Sequence, residues 1–128
     1  MKVKYLGHSC FQVEAGGATL LFDPFITPNQ LASSIDMKQV KADYIFISHA
    51  HQDHMADALQ LAKQNNSTMV ANWEICSWFN TQGWHKTHPM NTGGKWTFDW
   101  GEVKFTNAIH SSSFGDGCDG GNPQGIYY

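Results

Sequence analysis

Apolar and polar positions alternate over the first residues, with Val3 and Tyr5 set against Lys2 and Lys4. A period of two marks a half-exposed strand. Phe11 and Val13 resume the alternation after a break at Gly7, and Gly16-Gly17 supplies a hairpin turn. Residues 19–22 read as a more fully buried strand, closed by Asp23-Pro24. Pro24 and Pro28 open a loop that runs on through Ser33-Ser34. The apolar run Tyr44-Ile45-Phe46-Ile47 predicts a buried strand over 43–48. From Asp53 to Lys63 the period becomes helical, with Met55, Leu59 and Ala62 on one face. A turn at Asn65-Asn66-Ser67 leads to a short strand over 68–71, then a helix over 73–80 with Asn72 as its cap and Gly83 at its end. A second hairpin is expected from 96–98 and 103–106, with strand character continuing to 109. A Gly/Ser-rich loop over 111–125 precedes a strand beginning at Ile126. The order reads as a β-meander with two interspersed helices, a mixed α/β class in a single domain over 1–128.

Composition narrows the function. The chain has 128 residues, 41% hydrophobic and 15% charged, which is the balance of a globular domain. Its net charge is −3 and Lys and Arg total only 8, so a broad nucleic-acid-binding patch is not expected. No apolar stretch approaches membrane-spanning length, and the amino-terminal residues are a strand rather than a signal peptide. Cys10, Cys76 and Cys118 are odd in number and far apart, which fits a reducing cytoplasm better than a disulfide framework. The tryptophans have no interleaved basic residues and are assigned to core or pocket wall rather than to base stacking.

The densest chemistry lies in Ser48-His49-Ala50-His51-Gln52-Asp53-His54, which holds three of the seven histidines. His49 and His51 are two apart, so on an extended chain both leave the same face. Zinc sites that act on substrates commonly use about three protein ligands and one open position. A third ligand is therefore needed, and His110, at the end of the strand leading into Ser111-Ser112-Ser113, is the best candidate. Asp53 and His54 follow the turn and can serve a second ion about 3.5–4 Å from the first. The alternative is a histidine-rich surface loop.

Other residues carry weaker signals. Asp23 ends a buried strand, where an unpaired carboxylate is costly. It would either accept an N–H from a metal-binding imidazole or cap the Pro24 turn. His8 and His88 sit in other loops, as pocket lining or as ordinary surface histidines, and His85 is structural. Asp116, Cys118 and Asp119 lack the pattern of a calcium loop.

Together the residues resemble the metallo-β-lactamase fold. The signature is His49-x-His51-x-Asp53-His54 after an apolar strand. Tyr5-Leu6-Gly7-His8-Ser9-Cys10-Phe11, Leu21-Phe22-Asp23-Pro24-Phe25, His88-Pro89-Met90-Asn91 and Ala108-Ile109-His110-Ser111-Ser112-Ser113 further resemble bacterial metal-dependent hydrolases similar to ascorbate-6-phosphate lactonase. The resemblance implies His49, His51 and His110 on one metal, Asp53 and His54 on a second, and Asp23 in support. It implies the N-terminal half of an αβ/βα sandwich, with a mainly antiparallel or mixed sheet. It further implies that a second half supplies a bridging aspartate and another histidine. The function it implies is hydrolysis of a lactone, ester or phosphoester bond in a small molecule by metal-activated water, which Asp53 would help position. Divalent ions are implied, zinc first, with manganese, iron or nickel as alternatives.

On this reading the second ion has only two ligands in this chain, so about one tight metal per chain is expected, with little activity. The rival expectation is a non-catalytic metal-binding or assembly subunit. Half of a sandwich would expose an apolar sheet face, which soluble monomers avoid. Association with a C-terminal half or with a second copy is therefore expected, as a fragment, a split enzyme or a self-complementing dimer. Light scattering at micromolar concentration should show an oligomer; a monomer would exclude self-association.

Overall fold

A computed structural model describes all 128 residues, as two sheets and three helices. Strands β1 (Lys2–Tyr5), β2 (Phe11–Ala15), β3 (Ala18–Phe22), β4 (Tyr44–Phe46), β5 (Thr68–Ala71) and β6 (Thr87–Pro89) form one sheet in sequence order. Strands β7 (Lys95–Phe98), β8 (Gly101–Asn107) and β9 (Gln124–Tyr127) form the second. Helices α1 (Gln52–Met55) and α2 (Ala58–Asn65) connect β4 to β5, and α3 (Trp73–Thr81) connects β5 to β6.

The meander expectation holds for β1–β3, with the positive-φ glycines Gly16 and Gly17 turning β2 into β3, and for β7–β9, where the expected second hairpin forms. From β3 to β6 every pairing is parallel. Parallel neighbours need a crossover connection, which the helices and the long 23–43 loop provide. The signal lay in the sequence: Ile45-Phe46-Ile47 and Met69-Val70-Ala71 are unbroken apolar runs, the mark of strands covered on both faces.

Both faces of β3–β5 are indeed covered. Leu21, Ile45, Ile47, Met69 and Ala71 pack with Leu61, Ala62, Ile75 and Phe79 of the helices. Leu20, Phe46 and Val70 point the other way, against Trp100, Val103 and Phe105. The expected exposed apolar face is thereby reduced to β1 and β2. There Tyr5 pairs Phe11, which pairs Phe22, so these residues share the inter-sheet face. Val3 is 59%, Tyr5 61% and Phe11 39% exposed on it.

Three local expectations change. The single helix over 53–63 is broken at Asp57, whose buried carboxylate accepts N–H bonds from Ile26 at 2.6 Å and Thr27 at 2.9 Å. His88 lies in β6, not in a loop. Strand β8 ends at Asn107 rather than 109, which leaves His110 in the following loop.

Phe46 stacks on Phe22 with ring centroids 5.1 Å apart and meets Trp100 and Phe105 edge-on, so it joins the two sheets. Phe46→Ala should cost about 3–5 kcal/mol of stability, measured by denaturant unfolding.

Candidate metal centre

Parallel strands present their C-terminal ends at one edge of the sheet, where open α/β folds bind ligands. Asp23 follows β3, and Ser48 and His49 follow β4. Strand β1 runs in the same direction as β3, because both pair antiparallel with β2, and so it delivers His8 to that edge. His110 arrives from the second sheet. Its loop is clasped to the β4 end by two bonds, Ala50 N–H to Ser112 Oγ at 3.0 Å and Gln124 N–H to Ser48 O at 3.0 Å, and is closed on itself by Gly120 N–H to Ser112 O at 3.0 Å. A Cβ on Gly120 would run into Ala50 and Ser112 Oγ, so the close approach requires glycine.

Two groups of donors result. The ligand atoms of His49, His51 and His110 all lie within 4.8 Å of one another, and so do those of His8, Asp53 and His54. Ring centroids are 4.7 Å apart for His49–His51, 4.8 Å for His49–His110 and 5.1 Å for His51–His110, a nearly equilateral triangle. The rings of His49 and His54 are 4.1 Å apart, so the groups are neighbours.

Asp23 serves one member of each group. Its Oδ1 accepts the Ser48 N–H at 2.8 Å. Its Oδ2 accepts the Ser48 hydroxyl at 2.6 Å and His54 Nδ1 at 2.9 Å. A serine hydroxyl has one proton, and here it goes to the carboxylate. Ser48 Oγ therefore accepts from His49 Nδ1, 2.8 Å away. Both imidazoles are held as the Nδ1–H form, with the Nε2 lone pair left for a ligand.

The fit to a metal is visible at His49. Its Nε2 is buried and has no hydrogen-bond partner. An orphaned buried polar atom costs about 1–3 kcal/mol, and an ion held between His49, His51 and His110 would remove that cost. Burial lowers the His49 pKa to about 4, helped by neighbouring His54, His51 and His110 and opposed by Asp23. The ring is thus neutral at pH 7, the state that binds metal. His54 differs. Burial works to lower its pKa, but the hydrogen bond and charge of Asp23, with the charge of Asp53, outweigh this and hold it above the usual value. For Asp53, burial works upward, and the His54 charge and the His8 hydrogen bond prevail to hold it below the usual carboxylate range.

His8 is drawn further into the centre than its sequence context indicated. Its Nε2 lies 3.0 Å from Asp53 Oδ2. His8 and Asp23 both have left-handed backbones, with φ 52° and 44°. Such a conformation costs a non-glycine residue about 1–2 kcal/mol. The exposed His8–Asp53 pair, with side chains 40% and 48% accessible, contributes only about 0–1 kcal/mol and does not offset it. Strain retained at two residues that both flank His54 points to a site rather than to scaffolding.

His88 does not belong here. It is the register partner of Val70 and so faces the second sheet, where its ring lies 5.0 Å from Trp96 and 5.2 Å from Phe98. Its pKa is lowered by burial in that aromatic slot. Ser48 and Asp57 carried no functional signal in the sequence. Each acts through a bond to a residue more than twenty positions away.

A family model described as a beta-lactamase superfamily domain matches residues 2–123. A UPF0173 metal-dependent hydrolase of Flavobacterium johnsoniae is 50% identical, over 98% of this chain and 56% of that protein. Another, of Christiangramia forsetii, is 45% identical with the same coverage, 98% and 56%. Igni18, a metallo hydrolase of known structure from the archaeon Ignicoccus hospitalis, superposes with a TM-score of 0.83 at 32% identity, over 97% of this chain and 53% of that one. The chain therefore spans about half the length of the curated relatives it matches.

Ser48→Ala removes the acceptor that fixes His49. Isothermal titration with zinc should show about 10–100-fold weaker binding to the His49 group, with Ser48→Thr retaining wild-type affinity.

Proposed function

The chain belongs to the beta-lactamase superfamily domain family, and from that premise we propose that it is the ligand-bearing wall of a divalent-metal-dependent hydrolase. The observation that supports this most is the buried, unpartnered Nε2 of His49 beside His51 and His110. The substrate is a small molecule with a lactone, ester or phosphoester bond. Three imidazole donors suit zinc first, and the carboxylate in the neighbouring group suits manganese, iron or nickel as well. Divalent ions bound here would polarise the scissile bond and bring the ionisation of water towards neutral pH.

The remaining work falls to the chain's own side chains. His49, His51 and His110 hold the first ion. Asp53 and His54 face the second, and Asp53, half exposed beside His54 and His8, positions the attacking water. Asp23 and Ser48 keep the ligand rings in one tautomer. His8 lines the pocket.

A second reading is a metal-binding or assembly subunit without turnover. The open face of Val3, Tyr5 and Phe11 favours it, since a partner is needed to cover that surface. We assign the face to a C-terminal half or to a second copy of the chain. The acidic balance argues against nucleic acid as substrate. No helix is long and apolar enough to cross a membrane, and a cytoplasmic setting is part of the proposal.

Panels of lactones, esters and phosphodiesters, assayed with zinc, separate the two readings. The hydrolase reading expects activity when a C-terminal half from a relative is supplied. That activity should fall at least about 100-fold in His49→Ala and on chelation. Metal binding without turnover on any panel, with or without the added half, would establish the assembly reading instead.

A further inference from the structure

We infer that the groove between α3 and the 113–119 loop is a separate ligand site, shaped for a small organic cation with an apolar body. None of the metal-donor residues lines it.

The helix supplies one wall. Trp73, Ser77 and Thr81 are spaced by four, as are Glu74 and Trp78, so they share one face of α3 and line the groove together. The loop after His110 supplies the other wall, with Phe114, Asp116 and Asp119. Both walls are held in place. Phe114 stacks on Trp78 with ring centroids 5.5 Å apart and belongs to the core under the helices. Phe114 N–H to Cys118 O and Gly117 N–H to Phe114 O, both at 2.9 Å, close the loop. Asn72, the cap of α3, donates its amide to Gly120 O at 2.7 Å and ties the end of the loop to the start of the helix. The space between the walls is about 480 Å³, within the range of pockets that hold small molecules.

Charge selects the occupant. The charged residues of the groove, Glu74, Asp116 and Asp119, are all acidic, and no Lys, Arg or His lines it. They equal the chain's whole net charge of −3, so the remaining acidic and basic residues balance. The ion pairs of the chain all lie elsewhere, which leaves these carboxylates without a cation. Trp73 is 61% exposed, and the face of an indole is the best aromatic partner for a cation. Glu74 and Asp119 also line an adjoining cavity of about 240 Å³ that has no hydrophobic residue, where Asn91 and Thr92 join them. The depression is therefore apolar along Trp73, Trp78 and Phe114 and polar past the two shared carboxylates. An ammonium seated at Glu74 and Asp119, with its apolar body on the aromatic side chains, satisfies both parts. An anion would be repelled, and a neutral apolar molecule would gain nothing from the carboxylates.

The probe is phenethylamine, titrated into the 128-residue chain and followed by nitrogen-15 NMR of the tryptophan indoles, with phenylethanol and phenylacetate as the neutral and anionic counterparts. Phenethylamine should bind with a Kd of about 1 mM or below and move Trp73 and Trp78. Phenylethanol should bind at least about fivefold more weakly, and phenylacetate should move neither indole. Trp73→Ala should weaken phenethylamine by about 3–30-fold, and Glu74→Gln by about fivefold. Both positions are exposed, and an unchanged backbone amide spectrum checks that each variant folds. The inference is overturned if the alcohol binds as tightly as the amine, if both variants bind like the parent, or if no indole moves up to about 10 mM amine. A response to a lysine-rich apolar peptide but not to phenethylamine would overturn it in favour of a protein partner. None of these readouts depends on a metal ion, so the outcome is independent of the hydrolase reading.

Discussion

The centre depends on one buried carboxylate, that of Asp23. It stands where β3 ends, its own N–H still bonded to Phe46 O at 2.9 Å as a last rung of the parallel ladder. The left-handed backbone then turns the side chain across the end of β4 rather than along β3. An ionised group taken from water must recover its hydration in hydrogen bonds. Asp23 does so with a backbone N–H, a hydroxyl and an imidazole N–H. The same bonds set the tautomer of one imidazole in each donor group. Carboxylate desolvation and ligand orientation are therefore one structural fact, and neither group can be changed there without the other.

The scaffold supplies rigidity at the strand ends and reach from the loops. Packing on both faces of β3–β5 immobilises the residues that carry Asp23, Ser48 and His49. The loops that bring His8, Phe25 and His110 add apolar anchors of their own to that core, Leu6 and Cys10, Ile26, and Phe114. Each is tied by named bonds: Tyr5 to His8, Asp57 to Ile26 and Thr27, and Ser112 to Ala50. Positioning thus comes from polar staples at the sheet edge together with these apolar anchors in the core beneath it.

What the sequence made legible follows from how local each signal is. His49, His51, Asp53 and His54 lie within six positions, so strand spacing and a helix start were enough to gather them. His110 was singled out by asking for one more donor after a strand, and the structure brings it beside His49 and His51 from the loop that follows β8. The parallel order of β3–β6 was obscured because strand spacing does not reveal direction; only the unbroken apolar runs encode it. The contact of His8 with Asp53 was not legible because its partner is 45 residues away, and a Gly-His turn has no periodicity to read. His88 was overweighted for the opposite reason. It stands near a strand end like the others, but its register with Val70 turns it into the inter-sheet core.

The exposed side chains of the centre define what a covering body would add. His8 and Asp53 are 40% and 48% accessible, so the contact between them lies in a largely aqueous medium. Two unit charges about 4 Å apart are worth about 1 kcal/mol in water and about 4 kcal/mol at the effective dielectric of a protein surface. The open face of Val3, Tyr5 and Phe11 runs directly into this region, because the Tyr5 hydroxyl holds His8. A body seated on that face would exclude water from β1 and from the mouth of the centre together. Its largest contribution would then be electrostatic. Both donor groups are already assembled by this chain, and cover would raise the strength with which they act on charge developing in a bound substrate.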